Sequence, residues 1–218
     1  MLTGIVARLG TLIAAAVLAG CGSAPVAELP PAAEPDVSPP LEARPAGRVV
    51  PVGKLPEGVV ADPVRATVDG GRAIAVVRPR ERVLELYDSA TRERIGRAPA
   101  GAGPTHVVAG ERGLAYVVDT AGDGLLVFDT HGELRILRRY PLLGAPYGAA
   151  SDLRSGRLWV TLTARNELVE LATSARPHRL ASYPTVRQPN TVAVDPSSGR
   201  VYVTGEVDGQ LLDPRRSR

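Results

Sequence analysis

The sequence predicts an all-β fold built from four copies of one sheet unit. Two prolines five residues apart occur four times, and the second prolines of successive pairs are 48, 42 and 43 residues apart. Every unit is interrupted by Gly and Pro at short intervals and contains segments rich in Val, Leu and Tyr, which favour strands. No unit has a long apolar run with the 3.6-residue period of a helix. The pairs are Pro51 and Pro56, Pro99 and Pro104, Pro141 and Pro146, and Pro184 and Pro189.

The length of the repeat indicates a β-propeller. Four-stranded propeller blades repeat about every 40–45 residues, and helical HEAT-type repeats have a similar length. Composition decides between them, because 23 glycines and 20 prolines among 218 residues would break the long helices of HEAT-type units. We therefore predict a propeller with about four blades.

Residues 1–20 are predicted to be a signal peptide. Arg8 is followed by a twelve-residue apolar run, which is shorter than the about 20 residues that span a bilayer and has no polar face for a buried helix. The run ends in Leu18-Ala19-Gly20-Cys21, which resembles the lipobox of bacterial lipoproteins. The resemblance implies that residues 1–20 are removed and that Cys21 is lipidated. The chain would then be anchored to a cell membrane on its extracytoplasmic side.

Residues 21–47 are predicted to be a tether, composed of the lipidated cysteine and a Pro/Ala-rich linker. Seven prolines occur in the 26 residues from 22 to 47. Proline fixes φ and lacks an N–H donor, so this stretch favours extended, solvated backbone. A recognition peptide for a proline-binding partner is the alternative interpretation. The propeller domain would then occupy residues 48–218.

Within each unit the predicted strands follow in the same order. Small residues after the second proline suit an innermost strand, because blades crowd near their common axis. An aromatic and β-branched strand, an apolar strand and a charged outer strand follow it. The predicted innermost strands are residues 59–61, 107–109, 149–151 and 192–194, the second strands start at Ala75, Tyr116, Trp159 and Tyr202, and the third strands are residues 83–88, 125–129 and 167–171.

The second strands carry a family resemblance. Tyr202-Val-Thr-Gly205, with Trp159-Val-Thr-Leu162 and Tyr116-Val-Val-Asp119 as variants, resembles the Tyr-Val-Thr-Asn motif of YVTN-type (YncE-like) β-propeller repeats. The preceding segment Asn190-Thr-Val-Ala-Val-Asp-Pro196 is similar to the first strand and turn of that family. The resemblance covers about residues 48–213 and implies a ring of antiparallel blades, often seven, without a settled activity.

The chain is short for such a ring. Seven units would need about 294 residues, whereas 166 residues lie between Arg48 and Asp213. Residues 48–52 stand where the other units have a fourth strand, so we predict that they pair with residues 210–213 and complete the last blade. This gives a four-unit arc, closed or nearly so. A ring truncated from a larger one is the alternative, and a second segment of small residues at 66–68, soon after 59–61, fits it.

Composition and motifs exclude several kinds of site. A single cysteine rules out an intramolecular disulfide and a multi-cysteine zinc site. Of 26 basic residues 25 are arginines, scattered among 23 acidic ones, so we predict a solvated surface and no nucleic-acid partner. His106, His131 and His178 lie in different units, and no catalytic or metal-binding motif is present. Asp119 and Asp123 favour a tight acidic turn over a cation site, because calcium takes six or more oxygens. We predict no catalytic residue, metal or cofactor.

Propeller geometry predicts where a ligand would bind. The residues next to each second proline reach one mouth of the central channel, because the innermost strands start there together. In this chain they are Glu57, His106, Tyr147, Arg187 and Asn190. A carboxylate, an imidazole, a phenol, a guanidinium and an amide can together bind a polar ligand, although the same residues would also serve to cap strand ends.

These observations lead to one main functional hypothesis and two alternatives. The main hypothesis is a membrane-anchored extracytoplasmic propeller that acts as a binding or scaffold module for a protein, a glycan or a small polar ligand. The first alternative is a propeller-type hydrolase or lactonase-like enzyme. The second is a truncated propeller fragment without function.

Overall fold

Four antiparallel sheets of four strands each make up the protein in its computed structural model, which describes residues 31–51 and 65–214. Cys21, Glu57 and the predicted innermost strand 59–61 lie outside the described residues. The strands are β1 (Arg48–Pro51), β2 (Arg65–Val68), β3 (Ala73–Arg78), β4 (Val83–Asp88), β5 (Arg94–Pro99), β6 (Pro104–Ala109), β7 (Leu114–Asp119), β8 (Gly124–Asp129), β9 (Arg135–Pro141), β10 (Pro146–Asp152), β11 (Arg157–Leu162), β12 (Glu167–Ala172), β13 (Arg179–Pro184), β14 (Thr191–Val194), β15 (Val201–Thr204) and β16 (Asp208–Leu212). Single 3₁₀ turns occupy Asp69–Gly71 and Thr163–Arg165.

Each sheet is one propeller blade, with consecutive strands running from the inside outwards. Blade 1 contains β2 to β5, blade 2 contains β6 to β9 and blade 3 contains β10 to β13. The innermost strands of neighbouring blades lie side by side, β2 next to β6, β6 next to β10 and β10 next to β14. The all-β propeller predicted from the repeat is confirmed.

The innermost strand of blade 1 differs from the prediction. The sequence favours residues 59–61, whereas β2 takes this place and pairs with β3 from Arg65 opposite Val76 to Val68 opposite Ala73. The reason is the turn that follows β2. Gly70 and Gly71 adopt positive φ there, which lets the chain reverse directly into β3.

The N-terminal strand completes blade 4, as the sequence predicts. β1 pairs antiparallel with β16, with Arg48 opposite Leu211 and Pro51 opposite Asp208. Blade 4 therefore has the order β1-β16-β15-β14, in which strands from the two ends of the chain share one sheet. This pairing covers the edge of β16 that would otherwise expose unpaired backbone groups.

The hydrophobic core lies between the blades and consists of three clusters. Leu84, Leu86 and Phe128 are among the residues buried between blades 1 and 2. Tyr116 and Leu158 belong to the cluster between blades 2 and 3, and the third cluster joins blades 3 and 4. Within residues 31–51 and 65–214 no further cluster joins blade 4 to blade 1, so the arc is not closed by a fourth core. A closed ring of four blades would have a fourth cluster between blade 4 and blade 1.

The described part of the Pro-rich linker lies against the blades. Ser38 is 3% exposed, and its hydroxyl donates a hydrogen bond to the carbonyl of Thr163. Its N–H donates to Gln188 Oε1 at 2.7 Å, while Gln188 Nε2 donates to the carbonyl of Asp36 at 2.6 Å. Asn166 Nδ2 donates to the carbonyl of Pro39 at 2.9 Å. Where composition predicts a solvated spacer, the structure has a docked segment, which we define as residues 36–39.

Candidate functional site

Three of the predicted mouth residues lie at the start of neighbouring innermost strands. His106 is near the start of β6, Tyr147 near the start of β10, and Asn190 directly precedes β14. The first two strands carry one extra residue at this point relative to the strand they pair with. The pairing of Pro104 with Asp119 is followed by His106 with Val118, and β10 has a similar shift between residues 146 and 149. Bulges of this kind re-aim side chains and are common beside functional sites.

His106 and Tyr147 form the centre of this site. Their ring centroids are 4.9 Å apart, with an angle of 69° between the ring planes, which is an edge-to-face arrangement. A chain of hydrogen bonds fixes the backbone next to them. Thr105 and Thr120 share a hydrogen bond of 2.8 Å, and the Thr120 hydroxyl donates to the carbonyl of Pro146 at 2.7 Å. The two strands that present the rings are therefore held together at the mouth.

Asn190 adjoins the pair through the backbone of β10. A side chain at Gly148 would collide with the Asn190 carbonyl, so the two strands approach closely because this residue is glycine. The N–H of Gly148 donates to Thr161 Oγ1 at 2.8 Å. The side-chain Oδ1 of Asn190 is buried and accepts no hydrogen bond from the described residues. A buried acceptor without a donor costs about 1–3 kcal/mol, and a ligand N–H or O–H would recover part of this.

Burial determines the charge of the imidazole. It lowers the pKa of His106 to about 4, from an ordinary value of 6.5. The ring is therefore neutral at pH 7, with one nitrogen able to donate and the other able to accept. Its Nδ1 is buried and has no hydrogen-bond partner among the described residues. The mouth thus combines neutral donors and acceptors with aromatic surface.

The other two predicted mouth residues are not part of this group in the described structure. The Arg187 guanidinium lies 3.3 Å from the Glu206 carboxylate, and both side chains are nearly half exposed. Arg187 lies in the loop that leads from blade 3 into β14, and Glu206 lies in the turn between β15 and β16. Glu57 lies outside the described residues.

Asp119 is a residue of the site whose role the sequence did not indicate. It is fully buried and its Oδ1 accepts the N–H groups of Ala102 at 2.9 Å and Gly103 at 2.7 Å. Its Oδ2 lies 2.9 Å from the Arg139 guanidinium. The carboxylate therefore holds the turn that leads into β6 and His106. Asp123 acts in a similar way, since its Oδ1 accepts the N–H groups of residues 144 and 145 ahead of β10.

The docked segment lies at the same end of the blades as the mouth. Gln188 and Asn166, which hold it, are in the loops at the end where the innermost strands begin, and the Gln188 N–H also donates to Asn166 Oδ1 at 3.1 Å. Both residues adopt positive φ, 55° and 48°. A left-handed conformation costs a residue such as glutamine about 1 kcal/mol or more, which the contacts with the segment offset.

A second cleft lies between blades 3 and 4 at the opposite end. It has a volume of about 420 Å³, and its lining includes Asp152, Arg157, Trp159 and Glu170. Glu170 is buried, accepts a hydrogen bond of 2.9 Å from the Tyr183 hydroxyl and lies 3.4 Å from Arg157 Nε. Arg157 and Glu170 therefore neutralise each other in the wall of the cleft.

Metal-ligating and membrane-spanning features are not found in the described parts of the chain. His, Cys, Asp and Glu residues form no cluster there that would hold a metal ion. His131 lies 2.9 Å from Asp69 at the end opposite the mouth, and His178 is exposed on blade 3. None of the helices within residues 31–51 and 65–214 has the length and apolar character needed to cross a bilayer.

Solved structures with the same architecture are numerous, although their sequences differ widely. A functionally unknown protein from Desulfotomaculum acetoxidans matches with a TM-score of 0.58 and 17% identity, over 69% of this chain and 50% of that one. Virginiamycin B lyase from Staphylococcus aureus matches with a TM-score of 0.52 and 15% identity, over 68% of this chain and 50% of that one. The β-propeller domain of Cps50 (Swd1) from Myceliophteria thermophila matches with a TM-score of 0.55 and 12% identity, over 67% and 51%.

These similarities establish the fold and nothing finer. No family model matches the chain, and no curated protein matches it. The chain spans about half the length of the solved structures above. They include an enzyme and a protein of unknown function, so they support a propeller without selecting an activity.

Proposed function

We propose that this chain is a membrane-anchored extracytoplasmic lipoprotein whose propeller binds a polar, uncharged ligand at the channel mouth. The observation that carries the proposal is the group formed by His106, Tyr147 and Asn190. It combines an aromatic pair, on two strands that bulge where the rings are presented, with a buried side-chain amide oxygen at the same end of the blades that accepts no hydrogen bond from the described residues. The YVTN-type character of the repeats is part of the same proposal.

The chemistry of the mouth favours neutral ligands over ions. His106 is uncharged at pH 7, and Arg187, the cation predicted at the mouth, is paired with Glu206. Aromatic rings beside an amide bind the apolar faces and hydroxyl groups of sugars, or the backbone of a peptide. A glycan is the ligand class that we would test first, and a protein or another small polar molecule is the alternative.

The anchor would place the mouth near the membrane. The docked segment begins fifteen residues after Cys21, a distance of at most about 50 Å for extended chain. Gln188 holds this segment at the mouth end. We therefore propose that a lipid on Cys21 would hold that end of the domain towards the membrane. The ligand would therefore be a component of the envelope near the membrane surface.

Acyl labelling tests the anchor. Cells that express the full chain are fed an alkyne-tagged fatty acid, and the membrane fraction is examined for label and protein. We expect the wild-type chain to be labelled and membrane-bound, and Cys21→Ala to lose the label and to be released or to remain as an uncleaved precursor. An unlabelled wild-type chain that stays in the membrane would contradict the anchor.

Titration with sugars tests the mouth. The full chain, purified in detergent, is titrated with maltotriose and with chitotriose, and binding is followed by saturation-transfer NMR. We expect His106→Ala and Asn190→Ala each to weaken binding about tenfold, the equivalent of one lost hydrogen bond. His131→Ala is the matched control, because it changes a histidine at the opposite end of the blades. Equal weakening by all three variants would contradict the assignment of the mouth.

An enzyme is the second candidate, and one observation favours it. The low pKa of His106 leaves a neutral imidazole in contact with a phenol, and a neutral imidazole can accept a proton from a substrate. Several structures with a similar fold are named as lyases. Turnover of a lactone or ester by the purified chain, lost in His106→Ala and Glu57→Ala, would support the enzyme over the binding module.

A further inference from the structure

The two ends of the blade array present faces that have no partner in the described structure. Corresponding positions of the repeat show this directly. Tyr116 and Trp159 occupy the same position in blades 2 and 3, and they are 0% and 2% exposed because each packs against the next blade. Tyr202 is the corresponding residue of blade 4 and is 37% exposed. An aromatic side chain placed to fill an inter-blade core lies at the surface instead.

Tyr202 belongs to a row of side chains on one face of blade 4. Ala193, Tyr202 and Leu211 lie opposite one another on β14, β15 and β16, so all three point to the same side. The opposite side contains Val203 and Leu212, which pack against blade 3. The row therefore faces the position that a following blade would occupy, and we call it the trailing face.

Blade 1 carries the complementary surface. Its Ile74, Val76 and Tyr87 point away from blade 2 and are partly exposed, whereas Phe128, at the position of Tyr87 in blade 2, is fully buried against blade 1. Glu85 lies beneath this face, where it pairs with arginines and accepts a hydrogen bond of 2.7 Å from the Tyr87 hydroxyl. We call this surface the leading face.

The two end blades differ in net charge. Residues 65–99 of blade 1 contain eight arginines and five acidic residues, whereas β1 and residues 190–214 of blade 4 contain two arginines and four acidic residues. Arg78, Arg94 and Arg97 surround the leading face with guanidinium groups that are about half exposed. A guanidinium can stack on a tyrosine ring, so Tyr202 suits this surface.

We propose that a second copy of this chain covers both faces. The trailing face of each copy would pack against the leading face of the other, so that two arcs of four blades close into a ring of eight around a two-fold axis along the channel. Eight blades is within the usual range for propellers. The matched four-blade region also covers about half of the larger propellers that resemble it.

The second copy would complete the channel mouth. One chain supplies a single set of His106, Tyr147 and Asn190 along half of the ring, and the partner would supply the other set opposite it. This proposal does not depend on the identity of the ligand or on the lipid anchor, because assembly is measured without either. Failure of the sugar titration would leave it intact, and failure of the assembly test would leave the mouth of one chain intact.

Mass in solution tests the proposal. The full chain is purified in detergent, and the protein mass is measured by light scattering over a hundredfold range of concentration. We expect twice the mass of one chain for the wild type and the mass of one chain for Tyr202→Arg, which places a cation against the basic leading face. Leu180→Arg is the matched control, because Leu180 is also 37% exposed but lies on the outer strand of blade 3, and it should remain a dimer.

Each other outcome overturns the proposal. A wild-type chain with the mass of one copy at every concentration would show that no second copy covers the faces. A dimer that Tyr202→Arg leaves unchanged would show that the interface lies elsewhere.

Cross-linking gives a second measurement that does not depend on how Tyr202→Arg folds. In a Cys21→Ala background, Tyr202→Cys and Ile74→Cys are combined in one chain and oxidised. We expect the double variant to form a disulfide-linked dimer on a non-reducing gel. Chains that carry only Tyr202→Cys or only Ile74→Cys should not form this dimer. A disulfide within one chain would show that the ring closes with four blades, and no disulfide would show that these faces do not meet.

Discussion

Replacing Asp119 by Ala tests whether one buried carboxylate holds the turn in front of the mouth. Its Oδ1 accepts two backbone N–H groups, from Ala102 and Gly103, and the side chain is 0% exposed. Alanine would leave the buried Gly103 N–H without a partner, at about 1–3 kcal/mol, and would leave the partly buried Ala102 N–H to water, at about 1 kcal/mol. Losing the ion pair with Arg139 adds little, because that guanidinium is half exposed. We therefore expect the free energy of unfolding to fall by about 3 kcal/mol.

The measurement is urea unfolding of the full chain followed by circular dichroism, with thermal melting alongside. A loss of about 3 kcal/mol corresponds to a melting temperature lower by about 6–12 °C for a chain of this size. Asp88→Ala is the control, because the Asp88 carboxylate also accepts two backbone N–H groups, at 2.9 and 2.8 Å, but in an exposed turn where water replaces it. A loss for Asp119→Ala no greater than the loss for Asp88→Ala would refute the reasoning.

Three further predictions concern the turn, the imidazole and the docked segment. Gly101→Ala should destabilise the chain by several kcal/mol more than Gly71→Ala in the same urea assay. Both glycines have positive φ (105° and 92°), but a Cβ at Gly101 would overlap the buried Asp119 carboxylate, whereas nothing lies within 4 Å of a Cβ at Gly71. Because burial lowers the pKa of His106 to about 4, the unfolded chain binds a proton at this imidazole at a higher pH than the folded chain does, so the free energy of unfolding should fall by about 3 kcal/mol between pH 6.5 and 4. His106→Asn should remove this part of the pH dependence, and identical curves of stability against pH for the two proteins would contradict the lowered pKa of His106. Gln188→Ala should speed hydrogen exchange of the Ser38 amide about fivefold, the equivalent of about 1 kcal/mol, and an unchanged rate would show that Gln188 does not hold the segment.

The repeat could be predicted from the sequence because it depends on local features. Short strands of alternating or apolar residues, separated by turns with Gly, Pro or Asp, specify sheet without reference to distant parts of the chain. The pairing of residues 48–51 with β16 was also predictable, since a unit without a fourth strand leaves an open edge and the N-terminal segment supplies the missing strand.

The innermost strand of blade 1 shows where local patterns fail. Residues 59–61 and 66–68 have equally small side chains, so composition does not distinguish them. The choice depends on which segment is followed at once by a turn into β3, and the structure assigns it to β2 through Gly70 and Gly71.

The site was predicted in part. The start of each innermost strand is fixed by the repeat, so His106, Tyr147 and Asn190 could be selected from their positions after the prolines. The role of Asp119 could not, because its partners are 16 and 17 residues away and the sequence presented it as one end of an acidic turn. The docking of Ser38 on Gln188 joins residues 150 positions apart, which the composition of a Pro-rich segment does not reveal.

By itself, the sequence determined the sheet unit, the number of units and the place where their innermost strands begin, because each of these follows from spacing and turn chemistry along the chain. Only the tertiary structure decided which side chains meet across blades, which charges are neutralised and which faces stay uncovered. The physical reason is that blades interact through side chains on opposite faces of separate sheets. Tyr202 illustrates this, since its sequence context matches that of Tyr116 and Trp159, and its exposure differs only because no described blade follows it.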